Sequence, residues 1–173
     1  RTASSRLPGM YIGEWVSQDR RRLVVFAPAV LLLFKQHRQR FACQTEAGGI
    51  LLGRRRGSNL EVVLATPPMH KDRRFNFLFE REPDGHAEAA LQAWLEANGT
   101  VDYLGEWHTH PQRIPRPSPI DRDEWGKLVV EHPGKLLVTV VVGTRALHVE
   151  ALLGGAQAAL LPILANGRTP ESE

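Results

Sequence analysis

Two histidines and an aspartate in the segment from Gly105 to Asp121 constrain the chain more than any other feature of its sequence. His108 and His110 lie two residues apart after a short apolar, strand-like run. In an extended strand, side chains at positions i and i+2 leave the same face, so both imidazoles can reach one metal ion. Asp121 follows His110 by eleven residues, beyond a proline-rich turn. Zn²⁺ accepts imidazole nitrogen and carboxylate oxygen, and a hydrolytic zinc site keeps its fourth position for water. The three side chains therefore predict an open zinc site.

Ser118 and Asp121 also have a simpler interpretation, as the start of a helix. Ser118 stands at the N-cap, Pro119 takes the first helical position, and Asp121 follows three residues after the cap. This interpretation explains both residues without a metal, but it leaves the His-x-His-Pro sequence just upstream unexplained. The two interpretations are compatible, because a capped helix start is a rigid place for a ligand.

The pattern resembles the signature of the JAB/MPN (JAMM) zinc metalloproteases, which is His-Thr-His-Pro, six residues, Ser, two residues and Asp. That family needs one further residue, a glutamate upstream near the start of a Gly-rich strand. Here Glu46 precedes Ala47, two glycines and an apolar run, and so matches that segment. The resemblance extends from about Glu46 to the 150s. It is greatest to the compact bacterial members, which process ubiquitin-like conjugates or sulfur-carrier-like tails. Some of these are deconjugases of antiphage (CBASS-type) operons.

The resemblance implies a role for each of these residues. One zinc ion per chain would be bound by His108, His110 and Asp121, and no small-molecule cofactor is expected. Glu46 would act as general base and then as general acid, and Ser118 would donate a hydrogen bond to the developing oxyanion. The cleaved bond would be an isopeptide or peptide bond after the C-terminal tail of a ubiquitin-like protein, which is the expected partner.

The sequence leaves other functions open. The same active site could trim a sulfur-carrier-like protein for biosynthesis. A non-catalytic MPN scaffold typically lacks one or more ligands, whereas all of them are present here. A nucleic-acid binder would use the arginine runs Arg20–Arg22 and Arg54–Arg56, but no reader motif accompanies them. A zinc deaminase is disfavoured because the second half of its motif, Pro-Cys-x-x-Cys, is absent.

Two further sets of residues are candidates for substrate contacts. Phe75 and Phe77 belong to an aromatic stretch that, in the family, borders the substrate groove. The simpler interpretation, a strand face in the core, is preferred for them. Arg113 and Arg116 lie in the proline-rich spacer after Pro111, where they could shape access or recognise acidic residues of a partner.

The bulk composition is that of an ordinary globular protein. Its 173 residues suffice for one domain with a hydrophobic core, and 42% of them are apolar. The net charge of +3 is too small to argue for nucleic acid. The longest apolar run is broken by Pro28 and is too short to span a bilayer, and no signal-peptide layout is present. The single cysteine, Cys43, fits a reducing cytoplasm, and we expect it to be partly buried.

Strand and helix patterns alternate irregularly and predict an α/β fold, a single MPN-like domain whose mixed, mostly antiparallel sheet is flanked by helices. The family resemblance adds a cytidine-deaminase-like architecture. We assign residues 1–22 to an N-terminal arm and edge strand, 23–165 to the JAB/MPN metalloprotease domain, and 166–173 to a frayed tail.

Some local expectations are specific enough to test. Residues 48–65 predict a hairpin whose turn carries Arg54–Arg56. A helix is predicted from Asp84 to Asn98, with His86 in solvent and an inward-facing stripe of Leu91, Trp94 and Leu95. The segment after Gly155 could be strand or helix.

Overall fold

The computed structural model describes residues 11–41, 43–75 and 79–170. Within these ranges the chain forms three helices, α1 (Pro28–His37), α2 (Pro83–Glu96) and α3 (Pro119–Glu131). None of the three combines the length and the hydrophobicity that a membrane-spanning helix needs. The strands in the same ranges are β1 (Glu14–Val16), β2 (Leu23–Phe26), β3 (Gly48–Arg56), β4 (Asn59–Ala65), β5 (Arg73–Arg74), β6 (Phe79–Glu80), β7 (Asp102–Thr109), β8 (Leu137–Val142), β9 (Leu147–Leu153), β10 (Ala156–Ala159) and β11 (Leu161–Pro162).

Nine of the strands form one large sheet, in the order β10-β9-β8-β7-β3-β4-β2-β1-β11. The pairs β2 with β4 and β7 with β8 are parallel, and the other neighbours in this sheet are antiparallel. Strands β5 and β6 form a small separate pair. The predicted mixed, mostly antiparallel sheet is therefore confirmed. The cytidine-deaminase-like architecture and the domain boundaries stay predictions.

The helices cover both faces of the large sheet. On β8, Val138 and Val140 pack in the core cluster that contains α1, whereas Leu137 and Val141 pack with α3. Alternate residues of a strand point to opposite faces, so α1 and α3 lie on opposite sides of the sheet. On β3, Leu51 packs with the α1 cluster, and its two neighbours pack with α2. Helices α2 and α3 therefore share the face opposite α1.

Helix α2 is packed differently from its prediction. Leu91, Trp94 and Leu95 are 59%, 47% and 55% exposed, so the predicted inward stripe is wrong. His86, expected in solvent, is fully buried. The helix meets the sheet through small side chains, which allow close approach to β3, namely those of Ala90, Ala93 and Ala97.

Three other local expectations differ from the structure or are now decided. Strand β3 extends to Arg56, so Arg54–Arg56 are strand residues and the turn is formed by Gly57 and Ser58. Cys43 is exposed rather than partly buried. The segment after Gly155, which periodicity left undecided, forms strands β10 and β11.

Candidate functional site

His108 and His110 lie at the end of β7, a central strand of the large sheet. Just past this strand, the backbone N–H of His110 donates to the Val142 carbonyl (2.9 Å), which extends the pairing with β8. The two imidazoles are on the same side, with their Nε2 atoms 3.2 Å apart. Gly105 brings β7 close to β8, since its φ is +146° and a Cβ there would lie 1.8 Å from the Val138 carbonyl oxygen.

Helix α3 brings Asp121 to the two histidines. Ser118 is the N-cap, and its Oγ accepts from the Asp121 N–H (3.2 Å). In return Asp121 Oδ2 accepts from the Ser118 N–H (2.6 Å), which completes a capping box and confirms the predicted helix start. The other carboxylate oxygen, Oδ1, lies 3.0 Å from His108 Nε2. One carboxylate therefore caps the helix and also joins the histidines.

His108, His110 and Asp121, hereafter the site cluster, fit a tetrahedral metal ion. Their donor atoms are 3.2 Å apart between the two Nε2 atoms, 3.0 Å from His108 to Asp121 and 3.4 Å from His110 to Asp121. A tetrahedral Zn²⁺ with bonds of about 2.0–2.1 Å separates its ligand atoms by roughly 3.3 Å. His110 Nδ1–H donates to the Arg116 carbonyl (3.1 Å), so the lone pair of Nε2 faces the other two donors. The three residues are accordingly able to bind a metal ion.

The electrostatics of the site cluster favour the metal-binding protonation states of two of its members. Burial alone would raise the pKa of Asp121, but hydrogen bonds from His108 and Ser118 keep it below its ordinary value. Burial and the adjacent positive charge of His108 lower the pKa of His110. For His108, burial lowers the pKa, but the hydrogen bond and charge of Asp121 raise it overall. The raised pKa of His108 and the lowered pKa of Asp121 thus have the same cause, the 3.0 Å contact between His108 Nε2 and Asp121 Oδ1.

Glu46 lies beside the site cluster, two residues before the start of β3. It is 4% exposed, and its Oε1 is 3.8 Å from His110 Nε2. Burial raises the pKa of Glu46 to about 7, although the charge of His108 opposes this effect. Its backbone is fixed at both polar atoms, because its N–H donates to the Phe75 carbonyl (2.7 Å) and its carbonyl accepts from Arg74 Nε (2.7 Å). The structure thus brings all four acid–base side chains predicted from the sequence to one place.

A cavity of about 400 Å³ opens next to these residues. Glu46, His108, Ser118 and Asp121 line it, together with residues of α3 and of the segment around β6. Gly48 lies against this second wall, since a Cβ there would come within 2.6 Å of the Phe79 ring. A groove between α3 and the β6 segment therefore leads to the acid–base residues.

Comparison with known proteins identifies the family of the chain. A family model described as prokaryotic homologs of the JAB domain matches residues 28–153. The chain belongs to this family. It is 41% identical over 148 residues to a Pseudomonas aeruginosa protein named CD-NTase/cGAS isopeptidase, a match that covers 85% of this chain and 94% of that protein. Proteins of the same name from Escherichia coli and Vibrio cholerae are 34% and 36% identical over 123 and 118 residues, covering 70% and 68% of this chain and 77% and 76% of theirs.

The fold of this JAB-domain homologue also resembles a solved structure. The solution structure of a protein from Desulfitobacterium hafniense superposes with a TM-score of 0.57, covering 79% of this chain and 88% of that one. The two sequences are 18% identical, so the likeness supports the fold alone.

Thr109 is a site residue of this JAB-domain homologue that the sequence did not single out. It lies between the two histidines, and its side chain is fully buried. Its Oγ1 accepts from the Ala47 N–H (2.9 Å) and donates to Gln39 Oε1 (3.0 Å), and its own N–H donates to the Ala47 carbonyl (2.8 Å). Thr109 thereby links the histidine pair to the residue after Glu46. The alternation that directs His108 and His110 to one face could have indicated that Thr109 faces inward.

The structure gives less support to the predicted substrate contacts than to the acid–base residues. Phe75 is 49% exposed and lies just after β5, so the preferred interpretation of it as part of a core strand face is wrong. It meets Glu46 through its backbone carbonyl, and Phe77 lies outside the described residues. Arg113 and Arg116 have exposed side chains in the loop after Pro111. In this JAB-domain homologue the described cavity wall includes Phe79 and Arg81, which the sequence did not single out.

Proposed function

We propose that this chain is a zinc-dependent isopeptidase that releases a protein from an isopeptide conjugate. The observation that carries the proposal is the meeting of Glu46 with the site cluster at the end of an open groove. The names of the three curated relatives, each an isopeptidase, support the type of bond. A non-catalytic scaffold is less well supported, since every side chain that hydrolysis needs is present and converges.

The site cluster provides the ligands, and Glu46 provides the acid–base group. His108, His110 and Asp121 would hold Zn²⁺, which would supply a Lewis acid to lower the pKa of water towards neutrality and to polarise the scissile carbonyl. Glu46, whose Oε1 lies 3.8 Å from His110 Nε2, would take a proton from the water whose oxygen attacks the scissile carbonyl, and its pKa of about 7 suits a base that works near neutral pH. The same carboxyl group then donates the proton to the leaving lysine amine, so that it returns to its starting state.

Ser118 is positioned to stabilise negative charge on the substrate. Its oxygen accepts from the Asp121 N–H, so its single hydroxyl proton remains available to a group in the cavity that Ser118 lines. An oxyanion that develops on the scissile carbonyl would accept this hydrogen bond. Removal of one such donor typically costs a hundredfold to a thousandfold in kcat, or about 2.7–4 kcal/mol.

The groove fits an extended peptide better than a folded surface. Its walls are formed by residues of α3 and of the short strand β6, and the cavity between them reaches Glu46. An extended C-terminal tail could lie there and add backbone hydrogen bonds to the exposed strand pair. The names of the relatives point to a CD-NTase or cGAS as the conjugated protein, and the sequence pattern alone points to a ubiquitin-like protein.

The central test is the variant Glu46→Ala in purified protein. The substrate is a fluorescent lysine peptide joined by an isopeptide bond to the C-terminus of a CD-NTase from the same genome. We expect one zinc ion per chain to be retained and cleavage to fall by at least about a hundredfold, because the base is lost and the ligands are not. Glu88→Gln, which changes an exposed glutamate of α2, serves as the matched control. Full turnover by Glu46→Ala would remove Glu46 from the mechanism.

Three substrates distinguish the possible conjugates. The same lysine peptide is joined to a CD-NTase, to a ubiquitin-like protein, or to the CD-NTase through a linear peptide bond. We expect the CD-NTase isopeptide to be cleaved fastest. Preferred cleavage of the ubiquitin-like conjugate would change the partner but not the reaction, and cleavage of none of the three would contradict the proposed function.

A further inference from the structure

A second histidine–carboxylate pair lies away from the cavity and has no part in the proposed reaction. His86 and the side chain of Asp72 are fully buried, with His86 Nε2 3.0 Å from Asp72 Oδ2. On the other side of the ring, Nδ1 is 2.6 Å from the hydroxyl of Thr66, which is 3% exposed. We refer to Thr66, Asp72 and His86 as the buried cluster.

The hydrogen bonds of the buried cluster define its proton positions. Thr66 Oγ1 accepts from the Ile50 N–H (2.9 Å), so the hydroxyl proton is donated to His86 Nδ1. The proton on Nε2 is donated to Asp72, whose oxygens also accept from the N–H groups of Met69 (2.6 Å) and Glu82 (2.9 Å). Each polar side-chain group of the cluster therefore has a partner, and the geometry is rigid.

The buried cluster holds the described residues, 67–75 and 79–82, of the segment that connects β4 with α2. Asp72 bonds to the two ends of this segment, at Met69 and Glu82, and to the first turn of α2 through His86. The middle of the same segment supplies both backbone contacts of Glu46, one from Phe75 and one from Arg74. Its later residues form a wall of the cavity. The position of the segment therefore affects both the base and the groove.

Thr66 connects the buried cluster with the strands of the site. Its carbonyl accepts from Trp107 Nε1 (3.0 Å), and Trp107 directly precedes His108. Its hydroxyl bonds to β3 at Ile50, and Gly49 is so close that a Cβ there would lie 2.2 Å from the Thr66 carbonyl oxygen. The cluster thus contacts the strand after Glu46 and the strand that carries the histidines.

We propose that Thr66, Asp72 and His86 act as positioning residues, which set the place of Glu46 against the site cluster and the width of the groove. This inference rests on the proposed function. It differs from a purely structural role in one respect. Loss of the buried hydrogen bonds lowers kcat even where the protein remains folded and keeps its metal, because a displacement of the base of about 1 Å can cost on the order of a hundredfold in rate.

The variants Thr66→Val and Thr66→Ser form a matched pair for this test. Valine has the shape of threonine but neither donates to His86 nor accepts from Ile50, whereas serine does both. We expect Thr66→Val to bind one zinc per chain, to lose about tenfold to a hundredfold in kcat, and to show faster hydrogen exchange at the Glu46 amide. Thr66→Ser should restore both properties to near the wild-type values. Asp72→Asn, which keeps the size of the side chain, should show a smaller loss in the same direction and serves if Thr66→Val does not fold.

A core variant away from the segment, Leu60→Val, with its loss of thermal stability measured beside that of Thr66→Val, separates positioning from general destabilisation. Leu60 is 2% exposed and belongs to the core cluster on the α1 side of the sheet. An equal loss of kcat in Leu60→Val, an unchanged kcat in Thr66→Val, or loss of zinc by Thr66→Val would each overturn the proposal. The exchange rate of the Glu46 amide is read without any substrate, so it tests the positioning role even if no conjugate is cleaved.

Discussion

Among the described residues, two histidine–aspartate pairs with the same separation lie in different surroundings. His108 in the site cluster lies 3.0 Å from Asp121, and His86 in the buried cluster lies 3.0 Å from Asp72. The side chains of the first pair are 14% and 13% exposed, whereas those of the second are not exposed at all. The separation of imidazole and carboxylate therefore says nothing about which pair is reactive.

The partners of each pair explain the difference. In the buried cluster, the other ring nitrogen of His86 bonds to the Thr66 hydroxyl, and the Asp72 oxygens accept from two backbone N–H groups. These polar atoms are therefore already hydrogen-bonded within the protein and are not available to a ligand. In the site cluster, a second histidine and Glu46 lie beside the pair, and all of them except His110 line the cavity wall. The same two chemical groups can thus stabilise a fold or form a site, according to how completely the protein satisfies them.

Loss of a site-cluster histidine should have the largest effect on both zinc content and cleavage. His108→Ala leaves two ligands, so we expect the zinc content to fall from one per chain to near zero and cleavage to fall by at least about a thousandfold. Wild-type protein should also lose stability when a chelator is added, by about 2.7 kcal/mol if free metal had been at a hundred times its Kd. Metal analysis and thermal unfolding with and without chelator measure both effects.

The buried cluster provides the contrast for that experiment. A Thr66→Val variant should still respond to the chelator, because its ligands are intact, while His108→Ala should not respond. If chelation left the unfolding temperature of wild-type protein unchanged, the site cluster would not be a metal site, and the comparison between the two pairs would lose its basis.

Glu46 should make the stability of metal-free protein depend on pH. Its pKa is about 7 in the folded protein, mainly through burial, against an ordinary value of 4.5. The folded state therefore binds this proton more tightly than the unfolded state. The resulting stabilisation is complete below pH 4.5 and is lost as the pH rises to about 7, by at most about 3 kcal/mol.

Urea unfolding in the presence of chelator, at a series of pH values, measures this dependence. Glu46→Gln does not titrate, so the difference in unfolding free energy between wild type and variant should change across the stated range. Parallel curves for the two proteins would show that Glu46 titrates normally and that its burial carries no electrostatic cost.

Thr109→Val should have a moderate effect on kcat and none on zinc binding, because Thr109 and the two histidines lie on opposite faces of β7. The variant keeps the shape of the side chain but leaves the Ala47 N–H without its side-chain acceptor, at a cost of about 1–3 kcal/mol. The histidines face away from this contact, so we expect zinc binding to be unchanged and kcat to fall through displacement of Glu46. Thr109→Ser keeps the hydroxyl and is the control, and a drop in zinc affinity for Thr109→Val alone would contradict this division.

The site cluster was predictable because its geometry is local. The i, i+2 spacing of two histidines in a strand and the spacing of a capping box place donors in space with little help from the rest of the fold, and the structure has both. Glu46 depended on the family resemblance, since it lies 64 positions before His110 and no local spacing connects the two residues.

The buried cluster could not be predicted in this way. Its members are 14 residues apart between Asp72 and His86 and 20 apart between Thr66 and His86, with no motif that connects them. A single histidine in the first turn of a helix has no feature in the sequence that distinguishes burial from exposure. The environment of His86 depends on which face of α2 packs on the sheet. The prediction chose the face with the large apolar side chains, whereas the small residues form the actual contact.

A substitution on the outer face of α2 should have the smallest effect on stability. It compares a buried and an exposed side of the same helix. If α2 is fixed by His86 and by its small residues, the exposed Leu91 contributes little, and Leu91→Gln should change the unfolding free energy by no more than about 0.5 kcal/mol. Ala93→Gln, on the buried side of the helix, is the matched substitution and should destabilise by about 1–3 kcal/mol through overpacking. Equal losses in the two variants would mean that Leu91 also packs against the protein, and that His86 and the small residues are not sufficient to account for how α2 is held.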